Sequence, residues 1–308
     1  MVKQVLIAMA GLLLVGCDDF DWGETARFKE DFHNTFPLKT GGAVMVESRN
    51  GSVEITGWEK DTVDVTGTKY ANSESALKDL KIDIVSTPDS ITIRTVPPSG
   101  YSHGNMGARY IIRVPRKVAI DRVTTSNATI RIESIEGPVR LRTSNGTVRV
   151  SRQTGTLDAE TSNGTIEING QSGGATVRTS NGAVRVDDMH GALEARTSNG
   201  GIHIRLSDPE PQKQIKLDTS NGSIDLDMVA LRDNNIRCTT SNGSISLHLP
   251  AAVNARLDAH TSNSSITTDF NVTVNGSLSK NRLDGKIGAG GPMIELGTSN
   301  GNIKVLKL

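Results

Sequence analysis

Thr143-Ser144-Asn145-Gly146 is followed by Thr161-Ser162-Asn163-Gly164, and the same letters return at Thr179–Gly182 and Thr197–Gly200. They come again at Thr219–Gly222, Thr240–Gly243 and Thr298–Gly301, with degenerate copies at Ser48–Gly51, Thr125–Ala128 and Thr261–Ser264. Through Thr125, Thr143, Thr161, Thr179 and Thr197 the step is constant; the next three, to Thr219, Thr240 and Thr261, are slightly longer. A fixed period of roughly 20 residues is the mark of a stacked-repeat architecture.

Each repeat, registered on its Thr, carries two short runs of alternation. Two residues before the Thr stand Val123, Leu141, Ala159, Val177, Ala195, Leu217, Cys238 and Ala259. Five residues after it stand Ile130, Val148, Ile166, Val184, Ile202, Ile224, Ile245 and Ile266. Period-two alternation rich in β-branched residues predicts a strand on each side of the motif. The parity of the alternation changes at Asn-Gly, so a corner is expected there, with Asn and Gly supplying a left-handed backbone. Asn-Gly is also a hairpin signal. Whole columns persist from repeat to repeat, however, which favours coils stacked in parallel over a meander. The fold class expected is all-β: a β-solenoid of about 18–22 residues per coil.

Stacking at about 4.8 Å per coil sets Asn127, Asn145, Asn163, Asn181, Asn199, Asn221, Asn242 and Asn263 in one column, where amides can bond from rung to rung. Asn300 is expected to end the column with a neighbour on one side only. The step from Thr261 to Thr298 is nearly double the others and reads as two coils, one lacking the motif. Outward positions hold Arg142, Glu160 and Arg178, and Arg149, Glu167 and Arg185, so each Glu is expected between two Arg residues. The longer steps place loops at one corner, Ser207–Lys213 and Val229–Asn235, where repeat proteins often bind partners.

The chain begins differently. Lys3 precedes an apolar run, Val5–Val15, too short for a permanent membrane span, and Leu14-Val15-Gly16 leads into Cys17. That resembles a bacterial lipobox, implying cleavage before Cys17 and acylation of its thiol. Asp18 and Asp19 then resemble the signal that keeps a Gram-negative lipoprotein at the inner membrane. The expected division is a signal peptide at 1–16, a lipidated polar tether at 17–27, an irregular N-terminal β region at 28–122 and solenoid repeats at 123–308. Within the irregular region strands are expected at Thr62–Thr68, Lys81–Ser86, Ser90–Val96 and Arg109–Val114, and a short helix at Ser75–Leu80.

Composition narrows function. Thirty-four basic residues balance 34 acidic ones, with no basic block, which argues against nucleic acid. Cys17 and Cys238 are the only cysteines, so there is no disulfide framework or Cys-rich metal site. The six His residues show no ligand spacing. Asp225 and Asp227, beside Asp218, are a weak candidate for a cation. Cys238 occupies an inward slot filled elsewhere by Leu, Val and Ala, which reads as packing rather than nucleophile. No catalytic, cofactor or metal site emerges. A polysaccharide-acting β-helix enzyme is the distant rival, and no Phe, Tyr or Trp lies between Tyr110 and Phe270 to line a sugar groove.

The pattern resembles the bacterial toast-rack family, a domain of unknown function also described as an adhesin. The resemblance is carried by Ser48–Gly51 with Trp58, by Tyr110–Pro115 leading into the repeats, by the Thr-Ser-Asn-Gly ladder, and by Gly288–Pro292 running on to Ile303. It implies a right-handed, single-stranded β-helix, a handedness that the residues themselves do not fix. It transfers no catalytic residue, and related domains are associated with envelope-stress systems. The combined expectation is a non-enzymatic, lipid-anchored scaffold of the cell envelope with an unidentified protein partner, facing the periplasm if the source is Gram-negative. A surface adhesin is the alternative.

Overall fold

The computed structural model describes residues 26–99, 106–274 and 279–308. The repeats form coils. Val139–Thr143 lies parallel to Leu157–Thr161 with Thr143 opposite Thr161, and Val148–Thr154 lies parallel to Ile166–Ser172 with Val148 opposite Ile166. Each coil therefore gives one strand to each of two long sheets, of 13 and 14 strands. Hairpins at Asn-Gly would have paired neighbouring strands antiparallel, and they do not.

Alternation decides which side faces in. Leu141, Ala159, Val177, Ala195, Leu217 and Cys238 from one sheet meet Val148, Ile166, Val184, Ile202, Ile224 and Ile245 from the other, all fully buried. Each full burial of a Val, Leu or Ile is worth about 1.5–3 kcal/mol. One coil encloses only a few such side chains, so the continuous core along the stack supplies the stability.

At both ends spatial order departs from chain order. Ala43–Glu47 and Val53–Trp58 form the rung next to Ala119–Thr125 and Ile130–Glu133. The segment between them and the ladder builds outward from that rung. Ser90–Val96 and Gly107–Pro115 add a further parallel level. Lys81–Thr87, Thr62–Ala71 and β1 (Phe28–Pro37) follow antiparallel. A short helix, Glu74–Asp79, is capped by the Ser73 hydroxyl accepting from the Ala76 N–H.

The C-terminal end corrects the two-coil reading of the long step. After Thr261 the chain makes the short strands Ile266–Thr268 and Val272–Val274, then Arg282–Ile287 antiparallel to Ala255–Thr261. It then turns back into the stack. Met293–Thr298 lies between Ile236–Thr239 and Ala255–Thr261, and Ile303–Lys307 lies between Ile245–Leu249 and Ile266–Thr268. The last coil in sequence is an inner rung in space.

Candidate interaction surface

Each letter of the motif has a separate task at the corner. The Thr161 hydroxyl donates to the Gly146 carbonyl of the preceding rung (3.0 Å) and accepts from the Gly164 N–H of its own rung (3.2 Å). Thr179, Thr197, Thr219, Thr240 and Thr298 repeat both contacts. The Ser144 carbonyl receives the N–H groups of Ser162 and Asn163, leaving the Ser side chain outside. The Asn amides form an unbroken chain. Asn145 donates to Asn127, Asn163 to Asn145, Asn181 to Asn163, Asn199 to Asn181, Asn221 to Asn199 and Asn242 to Asn221, at 2.6–2.8 Å.

Two expectations fail here. Asn300 does not end the column: it donates to Asn242 and accepts from Asn263, so Asn263 is the end. At the other end Asn127 donates to Asn50, whose amide turns to the Met106 carbonyl. The corner is not left-handed either. Within the ladder from Gly146 onward no Asn or Gly of the motif has positive φ; Gly51, at 100°, is the exception. Glycine is required because a Cβ at Gly182 would lie 1.7 Å from the Gly164 carbonyl oxygen, with 1.7–1.9 Å at the equivalent positions from Gly146 to Gly301.

The left-handed backbone lies at the opposite corner. Ser134, Arg152, Gly170 and Asp188 have φ of 50–68°, and Gly137, Gly155, Gly173 and Gly191 have φ of 123–153°, each set recurring once per coil. Between them Ile135, Gln153, Gln171 and Met189 point into the core. Gln153 and Gln171 donate to the carbonyls of Gly137 and Gly155, while their Oε1 atoms have no partner. The glycine step is present in the sequence, six residues before the Thr of each repeat from Thr143 to Thr197.

Both inserted loops extend this second corner, and they are joined. Asn234, wholly buried, donates to the carbonyls of Glu210 (2.7 Å) and Lys213 (3.0 Å) and accepts from the Arg232 N–H (3.0 Å). Arg232 pairs with Asp208 at 2.7 Å, and the Gln212 N–H donates to the Arg232 carbonyl. Val229, 48% exposed, stands at the start of the second loop. Nothing in the spacing singled out Asn234, because its role needs a second loop brought from 21–24 residues away.

The sheet faces are covered by ion pairs. Arg142 meets Asp158 and Glu160, Glu167 lies between Arg149 and Arg185, and Arg196 and Lys216 both reach Glu194 and Asp218. Arg178 turns to Asp158 instead of Glu160. Such exposed pairs are worth about 0–1 kcal/mol each, and their effect is to cancel the field of the face. Asp225 and Asp227 face away from Asp218, which belongs to the other sheet; their carboxylates lie 3.0 Å from His203 Nδ1 and 2.7 Å from His248 Nδ1. Among the described residues no group of three or more His, Cys, Asp or Glu could hold a metal. Burial, and secondly the charge of Asp218, push the Cys238 thiol well above its ordinary range, so it stays protonated. Burial raises the Tyr110 hydroxyl to about 12, against the hydrogen bond with Thr95 (2.6 Å). A shallow groove of about 540 Å³ runs past Arg140, Asp158, Thr176, Glu194 and Lys216, with charges of both signs on its walls. Cys17, Asp18 and Asp19 lie outside the described residues.

Two long, mostly parallel sheets closed by short corners define a β-solenoid. The Toastrack DUF4097 family model matches residues 39–306, and the chain belongs to that family. Solved structures with similarity include a candidate cell adhesion protein from Clostridium sporogenes (11% identity, 91% of this chain and 100% of that one, TM-score 0.23). Two others are a candidate lipid binding protein from Parabacteroides distasonis (11%, 90% and 96%, 0.42) and a candidate adhesin from Bacteroides fragilis (11%, 91% and 97%, 0.36). None of the three superposes closely enough to inform the geometry of this chain. No curated protein matches it at a significant level.

Proposed function

We propose that the protein is a non-enzymatic, lipid-anchored scaffold of the bacterial cell envelope that engages a protein partner through the joined loops at its second corner. The observation that carries this reading is the pair of insertions locked together by the buried Asn234. A loop kept only as a connection would not need a buried amide to fix its shape; a recognition surface benefits from being held rigid before binding. The faces beside it are neutralised, and no nucleophile, base and polarising group converge in the described residues. No helix among those residues is long and apolar enough to cross a membrane. We assign the anchor to Cys17; in a Gram-negative source Asp18 and Asp19 would hold the rod at the periplasmic face of the inner membrane, where a role in envelope-stress sensing becomes available.

Pull-down from solubilised membranes tests the surface. Wild type is expected to retain a partner that is lost when Ser207–Lys213 is replaced by a Gly-Ser link or Val229 by Glu. Identical recovery from all three would reduce the protein to a spacer. The anchor is tested by fatty-acid labelling, which Cys17→Ser should abolish. Fractionation of wild type with the outer membrane would overturn the inner-membrane assignment and bring surface adhesion forward.

A further inference from the structure

The two ends of the rod are closed in different ways. At the C-terminal end the outermost strands, Ile266–Thr268 and Val272–Val274, are three residues long, and Phe270 between them is buried. At the N-terminal end the outermost strands are β1, with ten residues, and Lys81–Thr87, with seven. β1 pairs with Thr62–Ala71 along one side, and among the described residues no strand lies against the backbone N–H and C=O groups of its other side. Three of the chain's five phenylalanines stand on it: Phe28, Phe32 and Phe36, all partly exposed. Phe32 meets Tyr110 edge-on at 5.8 Å. Ile82 and Ile84 of the other outer strand are also incompletely covered. A long open edge carrying apolar side chains is what soluble proteins usually avoid unless something pairs with it.

The sequence of β1 is complementary to itself. In an antiparallel pair of two copies centred on Phe32, Asp31 of each strand faces His33 of the other, on the outer face. Lys29 then faces Thr35, and on the inner face Glu30 faces Asn34, Phe28 faces Phe36, and Phe32 meets its own copy. Moving the centre to residue 31 would set Asp31 against Asp31; moving it to 33 would set His33 against His33 and Phe32 against Asn34. A slip by one would put inner side chains opposite outer ones. Asp31 and His33 are already held upright on the outer face, Asp31 accepting from the Thr68 hydroxyl (2.6 Å) and His33 bonding Asp64. We propose that β1 pairs antiparallel with β1 of a second copy about a two-fold axis through Phe32, joining two rods head to head. An axis perpendicular to the sheets also brings the two Lys81–Thr87 strands together, so both sheets can run on across the junction.

The test uses the full-length protein in detergent, as two differently tagged populations carrying Asp31→Cys or His33→Cys. Cys238 is buried and Cys17 is replaced by Ser in both populations, so neither contributes background. After mixing and mild oxidation, the mixed 31–33 disulfide should exceed either same-residue disulfide several-fold, because directly opposite Cβ atoms lie about 4.5–5.5 Å apart and diagonal ones about 7–8 Å. No cross-link, or equal yields from all combinations, overturns the proposal. A second measurement does not depend on cysteine. His33→Asp sets a carboxylate opposite Asp31 at both symmetry-related pairs, and the dimer dissociation constant should rise on the order of ten-fold. The swap Asp31→His with His33→Asp restores a facing Asp–His pair and should restore dimerisation, although it leaves residue 33 repelled by Asp64. A monomeric wild type, or a dimer indifferent to both variants, sinks the pairing.

Discussion

The two corners of one coil solve the same bending problem with different chemistry. At the Thr-Ser-Asn-Gly corner every group is committed to a neighbouring rung: the Thr hydroxyl, the Ser carbonyl, the Asn amide and the space where a Gly Cβ would be. At the opposite corner the backbone bends through left-handed residues and the side chains are less constrained, so Ile135, Gln153, Gln171 and Met189 share one column. A corner whose contacts run from rung to rung must keep its letters. The second corner also keeps a glycine, since a Cβ at Gly137, Gly155, Gly173 or Gly191 would lie 2.0–2.6 Å from a carbonyl oxygen of the preceding rung. The inward residue beside it varies, however, and it is there that the insertions sit.

Glycines give the largest expected effect. Gly182→Ala must push two rungs apart and should cost about 3 kcal/mol in urea melts. Gly174→Ala at the other corner, with no atom within 4 Å of its Cβ and no positive φ, should be neutral or stabilising by about 0.5 kcal/mol. Equal losses would show that rung contact is not what selects glycine.

Buried polar side chains come next. Thr179→Val keeps the shape but leaves the Gly164 carbonyl and the Gly182 N–H unpaired, and a loss of about 2 kcal/mol is expected. Gln171→Met already has a natural counterpart at Met189. It loses the bond to the Gly155 carbonyl but also removes an amide oxygen without a partner; the two changes offset, so stability should fall by no more than about 1 kcal/mol. A Gln171→Met loss as large as that of Thr179→Val would erase the distinction between the corners.

Position along the column separates smaller effects. Asn181→Ala and Asn300→Ala each break two amide bonds and should cost alike, about 1–2 kcal/mol. Asn263→Ala breaks one and should cost about half as much. If Asn300→Ala behaved like the end residue, the last coil would not lie inside the stack.

The smallest effect lies at the open end of the rod. The hydrogen bond from His33, more than any other influence, lowers the Asp64 carboxyl below its usual range, outweighing burial. A lowered carboxyl stabilises the fold above its unfolded value, and that contribution disappears as pH falls through the folded value. Below about pH 4 the amides of β1 should therefore lose protection from hydrogen exchange, after correction for intrinsic rates, before the ladder does. Asp64→Asn should remove this pH dependence; a β1 that loosens identically in the variant would assign the effect elsewhere.

Sequence by itself determined the parallel stack. The constant step from Thr125 to Thr197, the inward columns from Leu141 to Cys238 and from Val148 to Ile245, and the Asn column are each a periodic demand, and periodicity is local information repeated. The charge pattern of the faces was legible for the same reason. Only the tertiary structure decided what each letter does and where the ends go. Asn-Gly reads as a left-handed bend because that is the usual local use of those residues, whereas Gly182 answers to the Gly164 carbonyl of the rung before it. Asn234 answers to a loop from the preceding rung, and Thr298 to a slot between two rungs that were already consecutive in the chain. Which rung becomes neighbour to which is set by core burial along the whole rod, and chain order does not encode it.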